Sequence, residues 1–197
     1  MEKKKREKWE RILFSSVLSG KSRNAKIAYI AVMTAFCVVA NMFFEFKLAD
    51  TQFSLTIAVS ALTGILIGPL FGFTACFLGD LVGFLYHSSG YPYYPWVGIS
   101  MGLVALLAGM IIGLKGKGVL GNFYVKLSLV CLATFLLCTV AINTTAFWIL
   151  YSKVDYWTYL VARLFAQGQI WNSFVNYALL FVILPVLAKV KPLKIEL

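Results

Sequence analysis

The chain has 197 residues, of which 60% are hydrophobic and 16% are aromatic, and its mean hydropathy is +0.82. These values lie far from the averages of soluble globular proteins, so the composition predicts an integral membrane protein and leaves no stretch that reads as a separate water-soluble module. The net charge of +10 is then a signal of membrane topology and not of nucleic-acid binding.

The first predicted unit is a basic cytoplasmic segment, residues 1–25. Its start, MEKKKREKWER, is followed by the polar run SGKSRNAK rather than by a short apolar run with a cleavage site, so we expect it to be retained. One face at helical spacing holds Trp9, Ile12, Leu13, Phe14 and Val17. The pattern is compatible with an interfacial helix or with a loosely ordered tail, and the sequence does not choose between them.

The second predicted unit, residues 26–190, is a single membrane domain. Its apolar runs cover 26–44, 55–68, 70–87, 96–114, 123–150 and 161–188. A helix needs about 20 residues to cross a bilayer, so the second run is short; it ends at Gly68-Pro69, where one helix stops and the next starts. The prediction is an all-α bundle of six transmembrane helices.

The distribution of basic residues predicts the orientation. If both termini are cytoplasmic, that side receives 15 of the 18 Lys and Arg residues. Only Lys47, Lys153 and Arg163 lie on or near the outer side. Because Lys and Arg resist transfer across the membrane, this asymmetry favours cytoplasmic N- and C-termini.

A few polar residues interrupt the apolar spans. In the predicted topology Asp80, Asn143 and Arg163 reach a similar depth near the outer leaflet, and Gln167 and Gln169 lie near the top of the last span. Charge inside hydrocarbon is expensive, so such residues face a partner, water or a ligand. We interpret them as candidate substrate-binding residues.

The outer connections are rich in aromatic side chains. The loop YHSSGYPYYPW supplies the candidates Tyr91, Tyr93, Tyr94 and Trp96. Rings that enclose a few polar anchors suit a planar heterocyclic ligand, which aromatic faces bind by offset stacking. An interfacial belt of Tyr and Trp explains the same rings equally well.

The polar residues also have structural interpretations. Asp80 and Arg163 could form a salt bridge with each other, and Asn143 could hold two helices together. His87, at the end of a span, is better explained as an interfacial residue than as a catalytic one. These alternatives stay open at the level of the sequence.

Enzymatic function is not favoured. An intramembrane enzyme would have to use Asp80, His87 and Asp155, but no nucleophile–base pair lies at one depth. The four cysteines fall in apolar runs without CxxC spacing, so neither a disulfide nor a metal site is predicted. A stand-alone transporter is a further alternative, although no inverted repeat is visible.

Three small residues share a face of the first span: Ala28, Ala31 and Ala35. Small residues four positions apart let another helix approach closely. The face could dock a partner subunit or pack inside the bundle, and spacing alone favours packing inside.

Three stretches carry a resemblance to a known family: SLTIAVSALTGILIGPLFGFTACFLGDLVGFLY, GYPYYPW and NTTAFWILYSKVDYWTYLVARLFAQGQ. They contain a Gly-Pro break between two spans, a Gly-Asp pair in the third, a Pro-aromatic loop, an Asn-Thr…Trp run in the fifth and an Arg…Gln at the top of the sixth. In this arrangement, from about residue 26 to 188, the chain resembles the substrate-binding S components of energy-coupling factor (ECF) transporters, nearest to the folate-type branch.

The resemblance implies a vitamin-capture subunit of the bacterial plasma membrane, with a folate-like substrate as first interpretation, and it adds Trp148 to the candidate site. It also implies that the face of Ala31 and Ala35 docks onto a transmembrane coupling (T) subunit, and that two cytoplasmic ATPases supply the energy. No cofactor is implied. Relatives on this scaffold take up riboflavin, pantothenate or other vitamins, so the fold alone does not choose the vitamin.

Overall fold

The computed structural model describes residues 13–48, 51–86, 92–114 and 118–190. Its helices are α1 (Ser16–Ser19), α2 (Arg23–Phe43), α3 (Thr56–Ile67), α4 (Pro69–Tyr86), α5 (Pro95–Ile112), α6 (Phe123–Tyr151), α7 (Tyr156–Val161) and α8 (Gln169–Ala188). Two strands, β1 (Glu45–Leu48) and β2 (Thr51–Ser54), form a hairpin between α2 and α3, and a 3₁₀ turn covers Gly118–Gly121.

Among the described residues, two segments are π-helical. One, Phe135–Thr144, lies inside α6, and the other, Ala162–Ala166, follows α7. A π-helix bonds each N–H to the carbonyl five residues earlier, an arrangement that is rare and frequently marks a functional site.

Six apolar helices of the described residues overlap the six predicted spans. Five of them, α2, α4, α5, α6 and α8, are long and apolar enough to cross a membrane. At a rise of about 1.5 Å per residue the 12-residue α3 extends about 18 Å, well short of the ~30 Å hydrocarbon core. The described chain is therefore nearly all helical, whereas six complete crossings and cytoplasmic termini stay predictions.

The short helix α3 is the centre of the bundle. Eleven of its 12 residues are buried, and it packs against α2, α4, α5 and α8. A Cβ atom on Gly64 would collide with the backbone of Ala105 in α5. Glycine is needed there because the two helices touch backbone to backbone.

The predicted break at Gly68-Pro69 is present. Gly68 has φ 112°, a conformation that favours glycine, and Pro69 is the first residue of α4. The segment before α2 packs against this turn: Phe14 stacks on Phe71 with ring centroids 5.0 Å apart, and Leu18 is fully buried. Leu13 to Ser19 thus belong to the bundle, whereas Trp9 and Ile12 lie outside the described residues.

The β-hairpin is a feature that the sequence analysis treats only as an outer connection. Its strands are antiparallel, with Glu45 opposite Ser54. The amide oxygen of Asn176 in α8 accepts from the Ala58 backbone, and its Nδ2 donates to the Ser54 carbonyl at 2.6 Å. Asn176 therefore ties the end of the hairpin and the first turn of α3 to α8.

The last predicted span, 161–188, is not one helix. Its first part is the π-helical Ala162–Ala166, and α8 begins only at Gln169. Gly168 between them has φ 69°, in the left-handed region that ends one helix before the next begins. This break places Arg163 and Gln169 on separate elements.

The interior and the outside of the bundle differ as expected in lipid. Leu127, Leu180 and Leu184 have no exposed area and pack in one aliphatic core. Large apolar side chains such as Leu85 and Val182 are exposed. Such exposed apolar surface suits contact with lipid tails.

Candidate functional site

A cavity of about 140 Å³ lies between the end of β2, α3, α5, α6 and α8. A single water needs roughly 15 Å³, so the space holds a larger molecule or several waters. Its polar lining consists of Ser54, Thr56, Ser100, Thr134, Thr139, Asn143, Arg163, Gln169, Asn172 and Tyr177. The apolar lining includes Ile57, Val97 and Met101.

Three of the predicted substrate-binding residues meet at this cavity. Asn143, Arg163 and Gln169 come from α6, from the π-helical segment after α7 and from the start of α8, and all three line the space. Asn143 and Arg163 both lie in π-helical segments. The structure brings these residues together, and their contact with substrate stays a prediction.

Asn143 is held from one side only. Its Nδ2 donates to Ser100 Oγ at 3.1 Å, and Ser100 Oγ donates in turn to the Cys138 carbonyl at 3.3 Å. The Oδ1 atom of Asn143 is buried and has no hydrogen-bond partner among the described residues. A buried acceptor without a donor is unusual and calls for an explanation such as a ligand.

Arg163 lies against an aromatic ring. Its guanidinium carbon sits 4.6 Å from the centroid of the Phe147 ring, a cation–π contact. Its Nε is buried and finds no hydrogen-bond partner within the described ranges. The cavity therefore contains a cationic donor with unused capacity.

An aromatic cluster stands beside Arg163, formed by Tyr94, Trp96, Phe147 and Tyr151. Tyr94 packs against Trp96 at 4.9 Å and meets Phe147 edge-on at 5.4 Å. The hydroxyl of Tyr151 donates to that of Tyr94 at 2.6 Å. Trp96 Nε1 is buried and unpartnered in the part of the chain that the structure describes. Two of the predicted ring residues, Tyr94 and Trp96, thus contact Phe147. The Phe147 ring lies against Arg163, which lines the cavity.

Asp80 lies apart from this cavity, together with Tyr93. Tyr93 donates its hydroxyl proton to Asp80 Oδ2 at 3.0 Å, and its ring packs on Phe84 at 5.1 Å. Burial first, and then the charge of Asp80, raises the pKa of Tyr93, so the hydroxyl keeps its proton. Neither Asp80 nor Tyr93 contributes to the lining, in contrast to the predicted convergence of Asp80 with Asn143 and Arg163.

The remaining candidates have other positions. Trp148 donates from Nε1 to the Val154 carbonyl at 2.9 Å and packs edge-on against Tyr156, which forms the corner between α6 and α7. Gln167 is exposed and does not line the cavity. Tyr91 and His87 lie outside the described residues.

Asp155, named as a conceivable catalytic group, caps a helix. Its Oδ2 accepts from the Thr158 backbone N–H at 2.9 Å at the start of α7. This hydrogen bond lowers the pKa of the exposed carboxyl group. No cluster of three or more potential metal ligands occurs in the described ranges.

The asparagines of α8 are not among the predicted site residues. Asn172 lines the cavity and accepts from the Ser54 backbone N–H at 2.9 Å, and Asn176 is fully buried beneath it. Together with Gln169 they are spaced 169, 172, 176, one face of a helix. Polar residues at that spacing in an apolar span were the signal that could have identified them.

Three alanines of α2 are open to the outside of the bundle. Ala28, Ala31 and Ala35 are exposed, and only Cys37 and Ala40 of this helix are buried. The face therefore does not pack inside the described structure. Its role in docking stays a prediction.

Comparisons with known proteins agree with this architecture. A family model described as "ECF-type riboflavin transporter, S component" matches residues 21–191. A solved structure described as "Crystal structure of FolT bound with folic acid" is similar with a TM-score of 0.58 and 22% identity, over 78% of this chain and 90% of that chain. At that identity the likeness shows the fold, and no curated protein sequence matches significantly. Because the family match spans most of the chain, and the helices suit a multi-pass membrane protein, the chain belongs to the ECF-type riboflavin transporter S component family.

Proposed function

We propose that this chain is the substrate-binding S component of an ECF-type transporter in a bacterial plasma membrane, and that its cavity captures a planar heteroaromatic vitamin. One observation carries the proposal. The cavity is lined by polar groups, and two of them, Asn143 Oδ1 and Arg163 Nε, are buried without a partner among the described residues. A bound molecule would satisfy both.

A folate-like vitamin is the first candidate substrate. The pterin ring of folic acid has a lactam carbonyl, which can accept a charge-assisted hydrogen bond from a half-buried guanidinium such as Arg163. The aromatic cluster of Tyr94, Trp96, Phe147 and Tyr151 lies next to Arg163 and offers ring surface to a pterin. The structural neighbour, with its bound folic acid, supports the same choice.

Riboflavin is the second candidate, because the matching family model is named for it. Its isoalloxazine ring would use the same aromatic surface. Riboflavin lacks the carboxylates of folic acid, but its imide carbonyl, like the pterin carbonyl, would accept a hydrogen bond from Arg163. Arg163 therefore does not by itself distinguish the two vitamins.

The entry side and the partners complete the proposal. The basic termini are cytoplasmic and the cavity receives its substrate from outside, as the distribution of Lys and Arg favours. A T subunit docks on the exposed face of Ala28, Ala31 and Ala35, and two ATPases drive uptake. The sequence contains no GxxxxGK[ST] loop, so the ATPase activity belongs to the partners. Membership of a family of transporter subunits argues against the enzyme alternative.

Uptake in cells tests this function. The chain is expressed with and without a T subunit and its two ATPases, in a strain that takes up neither vitamin, and accumulation of labelled folic acid and riboflavin is measured. We expect accumulation of one vitamin only with the complete set, and none with ATPases whose P-loop lysine is replaced. Equal uptake by the chain alone would support a stand-alone transporter and contradict the proposal.

A further inference from the structure

The orientation of the Asn143 amide is determined by a chain of hydrogen bonds. We propose that Ser100 is a positioning residue that turns the oxygen of Asn143, not its nitrogen, toward the cavity, so that the substrate must present an N–H or O–H donor at this point. The inference deepens the proposed function, on which it rests, by naming the chemistry of the substrate edge that the cavity recognises.

The Ser100 hydroxyl has a single hydrogen to donate. Ser100 is 1% exposed, so bulk water does not compete for this hydrogen. The Cys138 carbonyl, 3.3 Å from Ser100 Oγ, is an acceptor with no hydrogen to offer. The hydroxyl therefore donates to Cys138, and toward Asn143 it can only accept.

This requirement determines which end of the amide faces Ser100. Only Nδ2 of Asn143 can donate, and it lies 3.1 Å from Ser100 Oγ. In the reversed orientation two acceptors, Asn143 Oδ1 and the Cys138 carbonyl, would compete for one hydrogen. A buried hydrogen bond would be lost, which disfavours the reversed orientation by about tenfold.

The oxygen is thus left as an unsatisfied acceptor at the cavity. Arg163, on the same lining, offers an unsatisfied donor in Nε. A lactam or imide edge, in which an N–H neighbours a carbonyl, complements this acceptor and donor together. Pterins and isoalloxazines both carry such an edge. A ring edge that has an acceptor in place of the N–H and a donor in place of the carbonyl does not complement Asn143 Oδ1 and Arg163 Nε.

Folic acid and aminopterin form the decisive pair of probes. They have nearly the same shape, but the 4-amino group and unprotonated N3 of aminopterin reverse the donor and acceptor of the folic acid edge. Dissociation constants for both are measured by tryptophan fluorescence with the full-length wild type, Ser100→Ala and Ser128→Ala. Ser128 is a matched control, because its exposed hydroxyl donates to the Tyr124 carbonyl within its own helix.

The wild type and Ser128→Ala should prefer folic acid by about tenfold or more. Ser100→Ala frees the amide to rotate, so its preference should fall to about threefold or less, mainly through tighter binding of aminopterin. An unchanged preference in Ser100→Ala, or no preference in the wild type, overturns the inference while leaving vitamin binding intact. Failure of the wild type to bind folic acid counts instead against the proposed folate substrate.

A second measurement needs no ligand. Protein labelled with ¹⁵N-asparagine is studied by NMR in detergent, and the Asn143 side-chain signals are assigned through their loss in Asn143→Gln. Ser100→Ala should shift one Nδ2 proton of Asn143 upfield, as expected for a lost hydrogen bond, and Ser128→Ala should not. Unchanged Asn143 signals in Ser100→Ala would show that Ser100 does not hold the amide.

Discussion

Tyr93 donates a hydrogen bond to Asp80 across 3.0 Å and so joins the loop before α5 to the side of α4. The same loop carries Tyr94 and Trp96, which pack on each other and on Phe147. We expect this hydrogen bond to help hold the aromatic loop beside the cavity, which would give the aspartate inside an apolar helix a structural role.

Tyr93→Phe tests this role of Asp80. The change removes the donor but keeps the ring on Phe84, so a half-buried carboxylate loses a partner. We expect the free energy of unfolding in detergent to fall by about 1–3 kcal/mol, with a smaller effect on vitamin affinity. Tyr86→Phe, at an exposed position on α4, is the control and should leave stability unchanged. Equal stability of the two variants would remove Tyr93 and Asp80 from this account.

Arg163→Gln separates binding from stability. The guanidinium is half-buried and its Nε has no partner among the described residues, so its loss removes chiefly the ring contact with Phe147 and should lower the stability of the empty protein by only about 1 kcal/mol. The affinity for folic acid should fall at least about tenfold, because a charge-assisted contact is removed. Calorimetry gives the affinity and thermal melting gives the stability, with exposed Lys153→Gln as the control. A large loss of stability without loss of affinity would assign Arg163 a structural role.

Asn176→Leu tests the tie between the hairpin and α8. Asn176 is fully buried and makes hydrogen bonds to Ala58, Ser54 and Asn172. A leucine of similar volume satisfies none of these groups, so we expect a loss of about 2–4 kcal/mol in unfolding free energy. Asn24→Leu, at an exposed position on α2, should have little effect. Denaturant titration of both variants provides the comparison.

Ala31→Trp and Ala35→Trp test the docking face. Both alanines are exposed on α2, so a large side chain fits without disturbing the bundle. It would keep a partner helix away, and we expect uptake in cells to be lost while vitamin binding by the isolated chain persists. Val182→Trp, on the exposed side of α8, should transport normally. If both alanine variants transport vitamin as well as the control, the face does not dock the T subunit.

Most of the helices could be predicted because each has a clear signal in the sequence. Apolar runs with Gly and Pro breaks placed α2 to α6 within a few residues, and the turn at Gly68-Pro69 occurs as predicted. The short helix α7 was not predicted, and α8 begins eight residues after the start of the last predicted span. The β-hairpin could not be predicted in the same way. Its strands are only four residues long, too short for an alternating pattern to stand out, and contacts with α8 help to hold it.

The lining of the candidate cavity was predicted in part, for a physical reason. The position of a residue along a helix indicates its depth in the membrane, and Asn143 and Arg163 were predicted as site residues from their depth. Both line the cavity. Depth does not give direction around the helix axis. Asp80, at a similar predicted depth, faces Tyr93 instead, and Asn172 was passed over although it lines the cavity.

Native mass spectrometry of the purified chain with added folic acid and riboflavin tests most directly whether the cavity holds a vitamin. We expect one bound folic acid per chain on the wild type and on Ala31→Trp, and its loss in the double variant Asn143→Leu, Arg163→Gln. Riboflavin bound in its place, with the same loss in the double variant, would keep the cavity and change the vitamin. Absence of both vitamins from the wild type, or a vitamin retained by the double variant, would contradict the assignment of this cavity as the substrate site.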